Sequence, residues 1–314
     1  MSFSFHLSKK DVELSPTRSS ISRRTFFKHV GGVAAATAFA SSLQAFAPIR
    51  GAQALAGQPQ NTDTNSRNAT GGSSGTNIVL VHGAFVDASS WSSVVPLLQQ
   101  AGHQVLAVQI PLTSLADDIN VTRQALASLS GPTVLVGHSY GGAVITGAGN
   151  ASNVVSLVYI AAHALAEGES AAGISARYPT TPGAKHFVPS YRQGFIWLDP
   201  PYFPQTFVAD IALARARVLA VSQKPVNPSC FTDKEGPAAW DHLPSWYAVS
   251  THDQIIDPNQ ERWYAKRIHA TTSEIPSSHA SPMSHPVDVA HIILAATKVG
   301  KSSRSDSSSK GSFR

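Results

Sequence analysis

Apolar side chains follow two rhythms along this chain, and the rhythms alternate. "NIVLVHG" (77–83), "HQVLAVQIP" (103–111), "PTVLVGHS" (132–139) and "VVSLVYIAAH" (154–163) are short runs dense in Val, Ile and Leu. Between them the apolar positions fall at helical spacing. "DASSWSSVVPLLQQAG" (87–102) sets Trp91, Val94, Val95, Leu97 and Leu98 on that repeat, opens on Asp and Ser, and ends at Gly102. "SLADDINVTRQALASLSG" (114–131) offers Ser114 as a cap with Asp117 and Asp118 in the first turn, and "YGGAVITGAGNA" (140–151) follows the third run. Strands apolar on both faces, alternating with amphipathic helices, predict an α/β fold: a mostly parallel central sheet flanked by helices.

The rhythm breaks after the fourth strand. Residues 164–243 are rich in aromatics and prolines, as in "GFIWLDPPYFPQTFVADIALARARVLAVSQ", and read as helices and loops inserted as a cap. It resumes with "SWYAVSTHD" (245–253), "QERWYAKRIHA", "TSEIPSSHA" and "PVDVAHIILAATK". The organised domain is therefore expected over 77–299.

Charge changes the picture only at the ends. The 314-residue chain has a formal net charge of +5, which by itself suggests nucleic acid or a membrane surface. Residues 1–56 carry seven Lys and Arg against two acidic residues, and 300–314 carry four against one. That leaves 13 basic and 16 acidic side chains, a net −3, for 57–299. The body is mildly acidic, so no nucleic-acid partner is expected. The basic start has its own pattern: "SRRTFFK" (22–28) precedes the weakly apolar, Gly- and Ala-rich "HVGGVAAATAFASSLQAFA". It resembles a twin-arginine export signal, with cleavage after Ala47, Ala54 or Ala56, a translocase of that pathway as partner, and a periplasmic or secreted product. The run is short for a membrane span, so no stable span is expected in the mature form. Residues 57–76 read as a polar linker and 300–314 as a polar tail. The single cysteine, Cys230, excludes an internal disulfide, and no metal site or cofactor is expected.

The candidate chemistry lies in "LVGHSYGG". This G-x-S-x-G sits between a predicted parallel strand and a predicted helix, the context of a nucleophile elbow. Ser139 would then stand at the C-terminal edge of the sheet, where open α/β sheets bind ligands. Two later stretches supply partners: "VSTHDQIIDP" places Asp253 just past a strand, and "IPSSHASPMSHP" places His279 in a loop. The order Ser139, Asp253, His279 suits a triad in which the His is the base and the Asp orients it. Asp257 and His285 are the competing acid and base. An oxyanion hole would take the N–H groups of Tyr140, after the nucleophile, and Ala84, in "VHGAF" after the first strand. Phe85 would line the substrate pocket, with His163 at the end of the fourth strand. Among the cap aromatics Phe195, Trp197, Tyr202, Phe203 and Phe207, Trp197 is a further lining candidate.

With "VLVHGAFVDASSW", "LVGHSYGG" and "SSH", the chain resembles the α/β-hydrolase superfamily. More closely it is similar to small bacterial esterase-like members akin to the plant methylesterase and hydroxynitrile lyase group. The resemblance spans roughly 77–298. It implies a helical cap over Ser139 and a Ser-His-Asp hydrolase that needs no metal. The expected function is cleavage of small aryl or short-acyl carboxylic esters through an acyl-enzyme. Hydroxynitrile lyases of the similar group carry a Thr and a Lys where this chain has Gly83 and Ala280, which disfavours lyase chemistry. Perhydrolase or haloperoxidase chemistry, lactone or amide hydrolysis, and a binding role with an idle triad stay open as alternatives.

Overall fold

The computed structural model describes residues 75–299. The export signal, nearly all of the linker and the tail expected from the sequence lie outside them. Among the described residues eight strands run in chain order: β1 Asn77–Val81, β2 Val105–Val108, β3 Thr133–His138, β4 Val154–Ile160, β5 Phe187–Pro189, β6 Ile196–Leu198, β7 Ser245–Ser250 and β8 Thr271–Ile275. Six of them form one sheet in the order β2-β1-β3-β4-β7-β8, and every pairing in it is parallel.

The two-sided apolar pattern of the strands has a direct structural reading. Along β1, Ile78 and Leu80 face one side and Val79 and Val81 the other, and all four are fully buried. The first side packs under Trp91 and Leu98 and under Val289 and Ile293 of a C-terminal helix, α10 (Pro286–Ala296). The opposite side packs against α2 (Leu115–Ala127) and α3 (Gly141–Ala148). Ser114 caps α2 as its sequence implies: its side chain accepts the N–H of Asp117, with Asp117 and Asp118 in the first turn.

Two local expectations change. The stretch 87–102 is not one helix. It is a 3₁₀ turn, Ala88–Trp91, capped by Asp87, and a separate α1, Val95–Gln100. Pro96 has no N–H to give and takes a place in the first turn of α1, so the helix starts there rather than running through it. The second change is in the insertion between β4 and β7. It carries short helices, α4 (Ala171–Ser175), α5 (Phe203–Thr206), α6 (Leu213–Val221) and α7 (Ser229–Thr232), but also the antiparallel hairpin β5–β6. Three further helices follow β7: α8 (Pro258–Arg267), α9 (Ser281–Ser284) and α10. Among the described residues no helix is long and apolar enough to cross a membrane.

Candidate active site

The chain must turn from β3 into α3 within a few residues, and it does so at Ser139. Ser139 has φ 55°, a left-handed conformation that a side chain normally avoids. The backbone around it is pinned. Its N–H donates to Ile160 O at 3.1 Å, and its carbonyl accepts from Gly142 N at 3.0 Å and His163 N at 3.1 Å. Gly137 is forced by this tightness: a Cβ there would stand 2.4 Å from Gly141 O. The result is a hydroxyl held at the C-terminal edge of the sheet by hydrogen bonds that would be lost if the turn relaxed.

The loop after β8 brings His279 to that hydroxyl. His279 Nε2 lies 2.8 Å from Ser139 Oγ, and Nδ1 lies 2.5 Å from Asp253 Oδ2. A carboxylate only accepts, so Nδ1 carries the proton, and Nε2 presents its lone pair to the serine O–H. Asp253, just past β7, uses its other oxygen to accept from Ile255 N at 2.6 Å and Ile256 N at 3.0 Å. All three side chains are buried. The competitors have other work. Asp257 caps α8 by accepting from Asn259 N, and His285 opens α10 with Nδ1 near Ser284 and Asp210.

His138 holds the His279 backbone in place. Its Nε2–H donates to the His279 carbonyl at 2.9 Å, and the two rings lie 4.9 Å apart. Burial first, and then the neighbouring His279, push the His138 imidazole down to about 3, so it stays neutral. His82 ends the first strand in the same state: burial lowers it to about 4, and its Nδ1–H donates to Gly83 O at 2.8 Å.

Of the two N–H groups expected for an oxyanion hole, that of Tyr140 follows Ser139 in the chain and that of Ala84 follows Gly83, which packs against Ser139. Ala84 and Tyr140 are buried, and neither N–H finds an acceptor among the described residues. Gly83 lets the "VHGAF" loop come this close, since a Cβ there would stand 2.8 Å from Ser139 Cβ. Phe85 follows at φ 67°, its carbonyl accepting from Lys224 N at 3.2 Å. Tyr140 is anchored at its far end. Its hydroxyl donates to Asp118 Oδ2 at 2.7 Å, while Leu112 N donates to the other Asp118 oxygen at 2.8 Å. Burial raises the Asp118 carboxyl to about 6. Cys230 sits beside this pair, buried and pushed up to about 12, and is an inert thiol.

The pocket candidates separate. Phe85 is fully enclosed by aromatics, with ring centroids 5.0 Å from Phe187, 6.2 Å from Phe231 and 6.5 Å from Phe207. His163 is buried next to the elbow, with Nδ1 3.2 Å from Tyr264 Oη, and burial lowers it to about 4. Trp197 packs toward the surface of the insertion instead of pairing with the aromatics around Phe85. It lies in β6, and its ring meets edge-on that of Tyr191, which is 77% exposed.

Two contacts come from the insertion, one from a cap aromatic already noted and one with no signature in the sequence. Phe207 packs edge-on against His279 at 4.8 Å, so the insertion forms a wall of the site. Asp210, three residues on, accepts from Ser278 N at 2.9 Å and Ser278 Oγ at 2.5 Å, tying the loop that carries His279 to the insertion. Burial opposes ionisation of Asp210, but the Ser278 bonds outweigh it and hold the carboxyl below its ordinary value. No group of three or more His, Cys, Asp or Glu among the described residues is arranged to hold a metal ion.

Comparison with known proteins agrees with this architecture. Residues 78–292 match the family described as "Alpha/beta hydrolase family". A carbendazim-hydrolyzing esterase of Nocardioides sp. (strain SG-4G) is 35% identical over 108 residues, 30% of this chain and 45% of that protein. A pyrethroid hydrolase of Sphingobium wenxiniae is 33% identical over 106 residues, 30% of this chain and 38% of that protein. The matched stretch thus spans less than half the length of either relative. The crystal structure of a methylesterase from Arabidopsis superposes with a TM-score of 0.60 at 18% identity, covering 70% of this chain and 98% of that one, a likeness of fold.

Proposed function

Because this chain belongs to the alpha/beta hydrolase family, we propose that it is a carboxylesterase-type serine hydrolase acting on small aryl or short-acyl esters. The observation that carries the reading is the continuous chain from Ser139 Oγ through His279 to Asp253, at 2.8 Å and 2.5 Å, on a left-handed elbow.

Each step follows from that chain. Ser139 Oγ attacks the ester carbonyl carbon as His279 Nε2 takes its proton. The carbonyl oxygen, now negative, turns to the N–H groups of Ala84 and Tyr140. Asp253 stabilises the imidazolium. The C–O bond to the alcohol then breaks, and His279 returns the proton to the departing oxygen. Water repeats the sequence on the acyl-enzyme, releasing the acid and free Ser139. The aromatic enclosure of Phe85, Phe187, Phe207 and Phe231 supports an apolar acyl or aryl group. The two relatives named for carbendazim and pyrethroid hydrolysis point the same way.

The test is hydrolysis of p-nitrophenyl esters of increasing acyl length, with a pyrethroid and carbendazim added, by the protein and its Ser139→Ala variant. Turnover that falls about a thousandfold or more in the variant supports the reading. A folded protein without turnover on any ester sinks it.

Export is the second part of the proposal. The "SRRTFFK" pair with its Gly- and Ala-rich continuation supports delivery through the twin-arginine pathway to the periplasm or beyond. Arg23→Lys with Arg24→Lys retains the precursor inside the cell if that holds, and unchanged export of the double variant overturns it.

A further inference from the structure

Beside Asp253 lies a second carboxyl that the hydrolytic steps do not use. Glu261 stands in the first turn of α8 and is fully buried. Its Oε2 accepts Ser250 N–H at 2.9 Å, at the end of β7. Its Oε1 is buried without any N–H or other ordinary donor directed at it. Both residues are anchored on Ser250, whose N–H donates to Glu261 Oε2 and whose carbonyl accepts Asp253 N–H at 3.2 Å, which sets the two carboxyls side by side. Two buried carboxylates at that range repel strongly, so one proton must be shared between them.

The donors decide where the proton sits. Asp253 accepts three N–H bonds, from Ile255, Ile256 and His279 Nδ1, all of which favour a carboxylate. Glu261 accepts one. Arg262 draws Glu261 toward ionisation, but less than burial and the Asp253 charge oppose it. Tyr247, on β7, is itself disfavoured as an anion beside it. Arg262, the next residue on α8, turns outward into a two-point pair with Glu274 at 2.7 Å and 2.9 Å. Burial first, and then the Asp253 charge, hold Glu261 well above the ordinary glutamate range.

We propose that Glu261 is a carboxylic acid whose Oε1–H donates to the Asp253 carboxylate, making it a positioning residue for the triad acid. Asp253 thereby gains a fourth donor, supplied from a helix rather than from its own loop. The bond locks the carboxylate plane toward His279 Nδ1 and keeps a single negative charge behind the imidazole. Loss of that proton at high pH would place two anions behind His279 and disorder the contact. The role in turnover rests on the esterase reading, whereas the buried proton does not.

The experiment uses the full chain, wild type, Glu261→Gln and Glu261→Leu. Gln keeps an acceptor for Ser250 N–H and an N–H donor for Asp253; Leu keeps neither. With p-nitrophenyl acetate, Leu is expected to lower kcat about tenfold or more with a smaller change in KM, and Gln to recover most of the loss. Two readouts need no activity. A protonated-carboxyl C=O band should appear at pH 7 in the infrared difference between wild type and Glu261→Gln. The unfolding equilibrium of the Gln variant should gain on wild type about tenfold per pH unit as pH rises above the ordinary glutamate pKa. Absence of the band, or a Gln-minus-wild-type difference flat with pH, overturns the proposal whatever the activity. A Gln variant as impaired as Leu, with both proteins folded, overturns the positioning role.

Discussion

At the scale of single residues, the site is a set of groups whose states are fixed by what surrounds them. Asp253 and Asp257 are four residues apart and chemically identical, yet only one meets the histidine. Asp253 spends one oxygen on two backbone N–H groups and the other on His279, whereas Asp257 accepts from Asn259 N at a helix start. Asp253→Asn replaces an acceptor with an amide that can hold the wrong histidine tautomer, so kcat should fall by about three orders of magnitude. Asp257→Asn keeps a good cap and should leave kcat within about twofold. Parallel kinetics of the two variants decide the matter, and a damaging Asp257→Asn beside a mild Asp253→Asn would reverse the assignment. The sequence carried both candidates and ranked them only by distance from the strand end. The hydrogen bonds give the two different surroundings, with only Asp253 reaching His279.

At the scale of elements, what was legible was what repeats. Central strands such as β1 and β3 are apolar on both faces because helices cover both, and that leaves a run visible in sequence. The elbow was legible for a similar reason, since its glycines are required by backbone contacts within a few residues. The hairpin β5–β6 was not. Each strand is three residues long, too short for a period to show, and it is set by pairing across a loop. Asp210 was invisible for a different reason. It lies 68 residues from Ser278, and nothing in "FVADIAL" marks it as a clamp. Its contact joins the insertion to the loop that carries His279 at the part-buried edge of the site. Asp210→Ala removes the acceptor for two donors on Ser278, at a cost of about 1–3 kcal/mol. The thermal midpoint should drop by several degrees, and kcat should fall about tenfold as the loop carrying His279 loosens. Calorimetry and steady-state kinetics on the one variant test both parts. An unchanged midpoint with unchanged kcat would mean that the loop is held by its other contacts, Ser277 to Ser250 and His279 O to His138.

At the scale of the whole molecule, the buried titratable groups oppose one another. His82, His138 and His163 are lowered to about 4, 3 and 4, each mainly by burial. The unfolded chain takes up protons at these positions below about pH 6.5 while the folded chain does not, so they cost stability as pH falls from 6.5. Asp118 and Glu235 are raised to about 6 and 8, again mainly by burial, and Glu261 is raised as well. These hold protons that the unfolded chain releases, so they cost stability as pH rises. Between about pH 4.5 and 6 the two sets nearly cancel. Above about 6.5 the histidines and Asp118 no longer contribute, and the slope from Glu235 and Glu261 remains. Stability should therefore decline from about pH 6.5 to 8. Glu235 is the cleaner lever, because it is buried and no side-chain donor among the described residues reaches either of its oxygens. Glu235→Gln removes one of the two residual protons, and its stability relative to wild type should rise by about 1.4 kcal/mol per pH unit up to about pH 8, then level off. Whatever constant offset the amide introduces, the change with pH is the readout. Denaturant midpoints of both proteins between pH 5 and 9 supply it, and a difference that stays constant across that range would mean that Glu235 is already ionised in the fold.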